Sequence, residues 1–302
     1  MTTNTANQTA LVVDRAQSPR HRRSAIRNAD LHCHSTVSDG LMSPTAVAAL
    51  AVRAQVDLWS LTDHDELGGQ REASEAAAAL GLRYVPGVEI SITWAGRTVH
   101  IVGLQIDPTH PVLVNGLEQT RSGRLNRARQ IGEQLALVGV PGAFEGAMRF
   151  VSNPDLISRT HFARYLVESG AAASTSDVFK RYLAEGRPGF VPHRWASLAD
   201  ALQWIHAAGG KAIIAHPGRY DFTPVEFNAL FDEFISLGGK AIEVVTGSHT
   251  PDQYDEYAQV ARRYGFQASR GSDFHGLGEG RHAPGTLPQL PADLVPVWQD
   301  WL

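Results

Sequence analysis

The stretch Asp30-Leu31-His32-Cys33-His34-Ser35-Thr36-Val37-Ser38-Asp39-Gly40 decides how the rest of the chain is read. It has the pattern of a β-strand that runs out into a polar loop, and in a strand residues i and i+2 share a face. His32 and His34 therefore present two imidazoles side by side, while Cys33 points the other way as a small core residue. A lone His-x-His is weak evidence, because a single strand-end histidine is more often a satisfied structural residue. It gains force because ligand-type side chains recur where later strands end. These are Thr62-Asp63-His64-Asp65, Gly87-Val88-Glu89, His100 within the apolar run 99–104, Ala215-His216-Pro217-Gly218 and Gly271-Ser272-Asp273-Phe274-His275-Gly276.

Between those ends runs a β/α rhythm. Ser43-Pro44 opens a helix, with Ser43 as N-cap and Pro44 at the first helical position. Val47, Leu50, Ala51 and Ala54 then keep helical spacing. Residues 56–61 read as a strand, 66–80 as a helix ended by Gly81, and 82–90 and 97–104 as strands. The segment 111–190 carries helical patterns broken at Val140-Pro141-Gly142 and Ser152-Asn153-Pro154, with no buried strand. The rhythm resumes with a helix at 197–208, a strand at 211–215, a helix near 224–237, and strands at 241–245 and 266–270. The apolar residues of Val297-Trp298-Gln299-Asp300-Trp301-Leu302 are expected to pack back on the domain. Such alternation implies a parallel sheet or barrel whose C-terminal strand ends converge on one rim. The expected organisation is a disordered polar tail over 1–27, a first barrel part over 28–110, a helical insertion covering the active site over 111–190, and a second barrel part with the C-terminal tail over 191–302.

A chain of 302 residues suits one large α/β domain carrying an insertion. The net charge of -4 argues against holding long nucleic acid by bulk electrostatics. No apolar run approaches the ~18 residues needed to cross a bilayer. The single cysteine excludes an intrachain disulfide and suits a reducing cytoplasm. Arg22-Arg23 is followed by no apolar run, so a secretory or twin-arginine signal is not expected. Arginine far outnumbers lysine, since Lys180, Lys211 and Lys240 are the only lysines among 27 basic residues. That suits planar, two-pronged phosphate binding, and more simply a GC-rich coding bias.

Six histidines and three carboxylates would share the rim: His32, His34, Asp39, His64, Glu89, His100, His216, Asp273 and His275. Bunched carboxylates raise one another's pKa, so such a set is costly unless cations neutralise it. Imidazole and carboxylate without thiolate suit Zn²⁺, Mn²⁺ or Fe²⁺ rather than Ca²⁺ or a structural Cys-type zinc site. Nine groups are too many for one ion, and enough for two or three divalent metal ions if a carboxylate such as Glu89 bridges. A site of that kind can generate hydroxide near neutral pH and clamp both oxygens of an in-line displacement, so no side chain need be the nucleophile.

In order, His-x-His, Ser-Asp-Gly, Thr-Asp-His, Val-Glu, Val-His, Ala-His-Pro and Asp-x-His resemble the motifs of the polymerase and histidinol phosphatase (PHP) superfamily, from about Asp30 to His275. The resemblance implies an α/β fold, a distorted (β/α)7 barrel with an inserted mainly helical subdomain, and a trinuclear metal centre. One metal would take His32, His34, Glu89 and Asp273; a second Glu89, His100 and His216; the third Asp39, His64 and His275. Asp63 and Asp65 would orient His64 and nearby water. With the insertion, Ser158-Arg159-Thr160-His161-Phe162-Ala163-Arg164 is similar to the branch of 3′,5′-nucleotide bisphosphate phosphatases, some of which also act as 5′→3′ exoribonucleases on short RNA. The implied reaction is hydrolysis of a phosphomonoester of a small nucleotide, such as 3′-phosphoadenosine 5′-phosphate, by metal-bound hydroxide.

Substrate phosphates need cationic partners beyond the ions. Arg124 and Arg127 are three apart on a predicted helix and share a face, which a solvated basic surface would explain equally well. Arg159 and His161 belong to the family-like segment, and Arg219 follows His216 closely enough to reach the rim. His193 and His249 lie on loops near it. Trp195 and Tyr220 could stack on a base, although loop packing accounts for them as well. The competing readings are a 5′→3′ exonuclease on short oligonucleotides, a histidinol phosphate phosphatase, a metal-dependent amidohydrolase and a metal-stabilised scaffold. The amidohydrolase reading lacks a bridging lysine, whose place Glu89 fills, and leaves Asp39 and His64 without a role.

Overall fold

The structure is a computed structural model that describes residues 26–301. The expected tail over 1–27 lies outside the described residues except for its last two. Ile26 packs against the lower core, and the Arg27 amide donates to Asp57 Oδ2 at 2.9 Å.

Strands β1 (Ala29–Asp30), β2 (Leu58–Trp59) and β3 (Arg83–Tyr84) form a parallel three-stranded sheet. A second sheet follows in the order β4 (Gly87–Trp94), β5 (Arg97–Leu104), β6 (Lys211–Ile214), β7 (Ala241–Thr246) and β8 (Gln267–Gly271). Only Val85-Pro86 separates β3 from β4, so the second sheet continues the first. At the other seam Leu31 N–H donates to Arg270 O at 3.0 Å, Asp273 N–H to His32 O at 2.8 Å, and His34 N–H to Phe274 O at 2.8 Å. The named strands alone close no barrel. With these bonds, and β3 and β4 taken as one interrupted strand, the eight strands of the two sheets make a barrel-like ring of seven positions.

One strand departs from the parallel sheet that β/α alternation implies. Ala95 and Gly96, with φ of 47° and 77°, close a tight hairpin, and β5 runs antiparallel to both β4 and β6. His100 therefore sits within a strand, directly opposite Ser91, and not at a C-terminal strand end. It still faces the mouth, because the strand that carries it runs the other way.

Helix α1 (Pro44–Arg53) starts as expected, with Ser43 Oγ accepting the Ala46 amide at 3.2 Å. Helix α2 (Gln70–Leu80) begins later than 66, because the Glu66 carboxylate takes the Leu67 and Gly68 amides in a turn of its own. Gly81 closes it at φ 70°. Helices α3 (Pro111–Arg121), α4 (Arg124–Leu137), α5 (Ala143–Met148), α6 (Arg159–Glu168) and α7 (Thr175–Val178) follow without a strand among them. Their cores separate one helix later than the boundary at 111. Leu113 and Leu117 of α3 are buried in the main core with Leu202 and Ile205, whereas Ala128, Ile131, Leu135, Phe162, Leu166 and Leu183 form a core of their own.

Helices α8 (Leu198–Ala207), α9 (Pro224–Ser236) and α10 (Pro251–Tyr264) cover the outside of β4–β8. Sequence reading passed over α10, whose apolar stripe is narrow: only Tyr257, Ala258 and Ala261 are buried. Val88, Ile90, Ile92, Ile101, Ile214, Ile242 and Val244 build the layer beneath these helices, and truncating one such residue to Ala would cost about 2–5 kcal/mol. The C-terminal segment packs back as expected: Val297 and Trp298 are buried, and Val297 N–H donates to Ala268 O at 3.0 Å. No described helix is long and apolar enough to cross a membrane.

Candidate metal centre and substrate cavity

Strand periodicity explains the floor of the site. Glu89 and Ser91 alternate with core residues Val88, Ile90 and Ile92, and His100 lies across from Ser91, so all three point into the mouth. Glu89 is fully buried among imidazoles. Its Oε2 is 3.2 Å from His32 Nε2, 3.3 Å from His34 Nε2 and 2.9 Å from His64 Nδ1. Its Oε1 is 2.9 Å from both His100 Nδ1 and His216 Nε2. Asp273 Oδ1 stands 3.4 Å from His34 Nε2, 3.6 Å from His32 Nε2 and 3.7 Å from His275 Nδ1. Asp39 Oδ1 is 3.4 Å from His275 Nε2 and 3.9 Å from His34 Nδ1. All nine rim residues thus meet in one place.

Ligand atoms gather within 4.8 Å of one another in three groups: His34, Asp39, His64 and His275; His32, His34, Glu89 and Asp273; and His64, Glu89 and His100. The second group matches the first metal implied by the family motifs. The first contains the Asp39, His64 and His275 set and adds His34. The third has His64 where the motifs imply His216, although His216 stands equally close to Glu89.

The arrangement fits divalent cations on the chemistry of its own atoms. Among the described residues, His34 Nδ1, Asp39 Oδ1, His64 Nδ1, Glu89 Oε2, His100 Nδ1 and His216 Nδ1 are buried without a hydrogen-bond partner. Each unmet atom would cost about 1–3 kcal/mol. His64 Nδ1 and His100 Nδ1 lie 2.9 Å from Glu89 oxygens, yet neither is angled as a hydrogen bond. Donor atoms that crowd together without bonding each other are arranged to share a cation.

Groups behind this layer fix its direction. Glu243, 1% exposed, accepts from His32 Nδ1 at 2.8 Å through Oε1 and from the His216 amide at 2.6 Å through Oε2. It is the one charge in the buried strand Ala241–Thr246, and sequence reading missed it although a lone carboxylate in an apolar strand is a legible signal. Burial pushes its carboxyl above the usual range, against the pull of His32. Asp273 Oδ2 accepts from Ser248 Oγ at 2.7 Å and from Arg219 at 3.2 Å, which leaves Oδ1 for the cluster. Asp273 and His216 have φ of 52° and 28°, left-handed conformations that cost non-glycine residues about 1–3 kcal/mol. Burial would lift Asp39, Glu89 and Asp273, but the histidines around each hold all three well below the carboxylate range.

The two aspartates beside His64 do other work than orienting it. Asp63 accepts from the Ser35 amide and from Ser35 and Ser38 Oγ at 2.6–2.8 Å, and so shapes the loop that carries Asp39. Asp65 pairs with Arg124 and accepts the Ser91 amide at 2.7 Å. His161 is also reassigned. It is 1% exposed, and its Nδ1 accepts the Ser158 amide at 3.0 Å, so it supports the cavity wall from behind. Tyr220 is spent on backbone: its hydroxyl accepts from His100 N–H at 2.9 Å and donates to Ala215 O at 3.0 Å. His249 Nε2 accepts the Gly218 amide at 2.9 Å and thereby props the turn after His216.

Above the cluster lies a cavity of about 290 Å³ between the barrel mouth and the insertion. Arg124, Arg127, Arg159 and Arg219 all line it, with Trp195 beneath the first two guanidinium groups at 4.6 and 5.4 Å. Arg281, which sequence reading did not single out, lines it as well. Arg124 is neutralised by Asp65, and Arg219 leans on Asp273. Arg127 and Arg159 form no ion pair among the described residues; each donates to one carbonyl, Val191 O and Leu183 O. Burial, with the other guanidinium groups nearby, pulls Arg127 down to about 9 and Arg159 to about 10.

A ring of strands with this mouth of histidines and carboxylates defines a PHP-domain protein. The PHP domain family model matches residues 30–207, and the chain belongs to that family. It is 50% identical over 273 residues to the 3′,5′-nucleoside bisphosphate phosphatase of Chromobacterium violaceum, covering 90% of this chain and 96% of that one. It is 42% identical over 278 residues to the 5′-3′ exoribonuclease Rnm of Salmonella typhimurium, covering 90% and 93%. A C. violaceum structure described as an amidohydrolase with bound sulfate and no metal superposes with a TM-score of 0.88 at 50% identity, over 90% of this chain and 95% of that one. A Bifidobacterium adolescentis structure, provisionally assigned as a metal-dependent phosphoesterase, gives 0.75 at 26% identity, over 90% and 94%.

Proposed function

We propose that this protein is a metal-dependent phosphoesterase that hydrolyses one phosphomonoester of a 3′,5′-nucleotide bisphosphate, such as 3′-phosphoadenosine 5′-phosphate, to the nucleoside 5′-monophosphate and phosphate. One observation carries the reading. A single cavity has a cation-binding floor at one end and, at the other, two guanidinium groups without acid partners among the described residues, the buried Arg127 and the half-buried Arg159. A substrate with two phosphates satisfies both ends, and the name of the C. violaceum relative supports that chemistry.

His32, His34, Asp39, His64, Glu89, His100, His216, Asp273 and His275 would hold two or three divalent ions, with Mn²⁺, Fe²⁺ and Zn²⁺ all suited to these donors. When bound, the ions supply Lewis acidity to the phosphoryl oxygens and lower the pKa of water. The chain itself binds and orients. Arg127 and Arg159 take the phosphate that does not react, Arg124 is held over Trp195 and paired with Asp65, and Arg219 brings a cation to the floor from its seat on Asp273. The single thiol, Cys33, is buried and suits a reducing cytoplasm.

A second reading, 5′→3′ removal of nucleotides from short oligonucleotides, uses the same two ends, with Arg127 and Arg159 on a 5′-terminal phosphate. Turnover of 3′-phosphoadenosine 5′-phosphate, a 5′-phosphorylated trinucleotide, adenosine monophosphate and histidinol phosphate, each with Mn²⁺, tests both. The bisphosphate should lead. Equal turnover of the substrates that carry one phosphate would remove the role of the arginine end.

A further inference from the structure

We infer that α6 of the insertion positions one ligand of the metal centre, Asp39, and so governs one cation position selectively; this rests on the metal reading above. Asp39 lies in the loop after β1, which has no regular secondary structure to hold it. Its two oxygens are divided. Oδ1 is unpaired and turned toward His275 and His34. Oδ2 accepts from Ser158 Oγ at 3.1 Å, across the boundary between barrel and insertion.

Ser158 is itself held in place. Its Oγ accepts the Thr160 amide at 3.2 Å, which leaves its hydroxyl proton for Asp39. Its own amide donates to His161 Nδ1 at 3.0 Å, so the buried histidine at the start of α6 fixes the N-cap residue that touches the ligand. Further along the same helix, Arg164 donates to Asp39 O at 2.6 Å. The same Nη2, together with Nε, forks onto Glu279 at 2.7 and 2.8 Å, in the loop that follows His275. Helix α6 thus grips both chain segments that carry the Asp39–His275 pair.

Ligands elsewhere in the cluster are held from within the barrel. Asp273 takes Ser248 and Arg219, and His32 and His216 share Glu243. Among the described residues, Asp39 is the one candidate ligand that insertion residues hydrogen-bond. Ser158 and Arg164 are therefore positioning residues for the His34, Asp39, His64 and His275 group.

Equilibrium dialysis of the full chain against graded free Mn²⁺, counting bound manganese per chain, tests this. In S158A and R164Q one step of the binding curve should move to about 10-fold or higher free Mn²⁺, the range for groups that orient a ligand. The remaining steps should stay put although the chelated variants melt a few degrees lower for want of the cap and the ion pair, and S158T should restore the shifted step. Curves that superimpose on wild type, or steps that all move together, would overturn the inference while leaving the metal reading intact. A wild-type chain that takes up no Mn²⁺ would overturn both.

Discussion

Glu243 gives the sharpest prediction, because it touches no substrate and no candidate ligand atom, yet sets the direction of two ligands. Its carboxylate receives His32 Nδ1–H at 2.8 Å and the His216 amide at 2.6 Å. With Nδ1 protonated in that bond, His32 must turn its Nε2 lone pair into the cluster, toward Glu89 and Asp273. In E243Q the side chain keeps its shape, but its single oxygen can accept from only one of the two donors. The amide nitrogen then faces the other, N–H against N–H. One charge-assisted hydrogen bond is lost, about 1.5–3 kcal/mol. At roughly 1.4 kcal/mol per factor of ten, Mn²⁺ should bind about 10–100-fold more weakly at the position that includes His32. The chelated variant should melt a few degrees below wild type, because the mismatched amide is buried there as well, so the effect on metal is read from the Mn²⁺ binding curve. Turnover of 3′-phosphoadenosine 5′-phosphate should fall at limiting Mn²⁺ and recover as the metal is raised. A variant that binds Mn²⁺ within about twofold of wild type would refute the orienting role.

Three further outcomes follow from the same geometry. R127A should raise KM for the bisphosphate about 10-fold or more, one charge-assisted contact, and leave hydrolysis of p-nitrophenyl phosphate unchanged; equal loss on both substrates would count against the two-ended cavity. Chelation should lower the thermal midpoint by about 10 °C, because tightly bound ions contribute roughly 4 kcal/mol at a thousandfold excess over Kd, and scanning calorimetry with and without Mn²⁺ measures it. Burial holds His161 down at about 4, against 6.5 for an ordinary histidine. The folded chain therefore binds fewer protons than the unfolded one between those values. Its contribution is complete above pH 6.5 and is lost as pH falls toward 4, at most about 3 kcal/mol. H161Q, which keeps an acceptor for the Ser158 amide, should flatten that slope in denaturant titrations of the chelated protein; an unchanged slope would assign the proton elsewhere.

The rim was legible in the sequence because strand periodicity and short motifs are local. His32 and His34 follow from a two-residue repeat, and Asp273 and His275 from another. What escaped depends on partners far apart in the chain. Asp63 and Asp65 look like natural companions of His64, but a side chain's neighbour in sequence is not its neighbour across a loop. Asp63 instead bonds Ser35 and Ser38, and Asp65 bonds Arg124, 59 positions away. The antiparallel direction of β5 was likewise hidden, since an apolar run looks the same read either way. Only the Ala95-Gly96 hairpin turns it. His161 sits inside a motif that pointed to substrate, whereas its ring is buried as the partner of an N-cap residue.

The likeness to a structure described as an amidohydrolase raises the question of which chemistry this mouth supports, and the site's own residues answer it. The amidohydrolase reading calls for a lysine at the bridging position. Lys211 donates to Val297 O near the C-terminal segment, and neither Lys180 nor Lys240 lines the cavity. The bridging position is taken by Glu89, whose two oxygens face five histidines. Asp39 and His64, which that reading leaves idle, stand in one ligand group with His34 and His275. The cavity then adds what amide hydrolysis does not need: the buried Arg127 and the half-buried Arg159, unpaired by any acid among the described residues. Unpaired buried guanidinium groups are costly unless an anion completes them, and a phosphate does so with the planar geometry arginine prefers. On the proposed reading, selection would reside in the insertion and the chemistry in the barrel, with Ser158 and Arg164 joining the two.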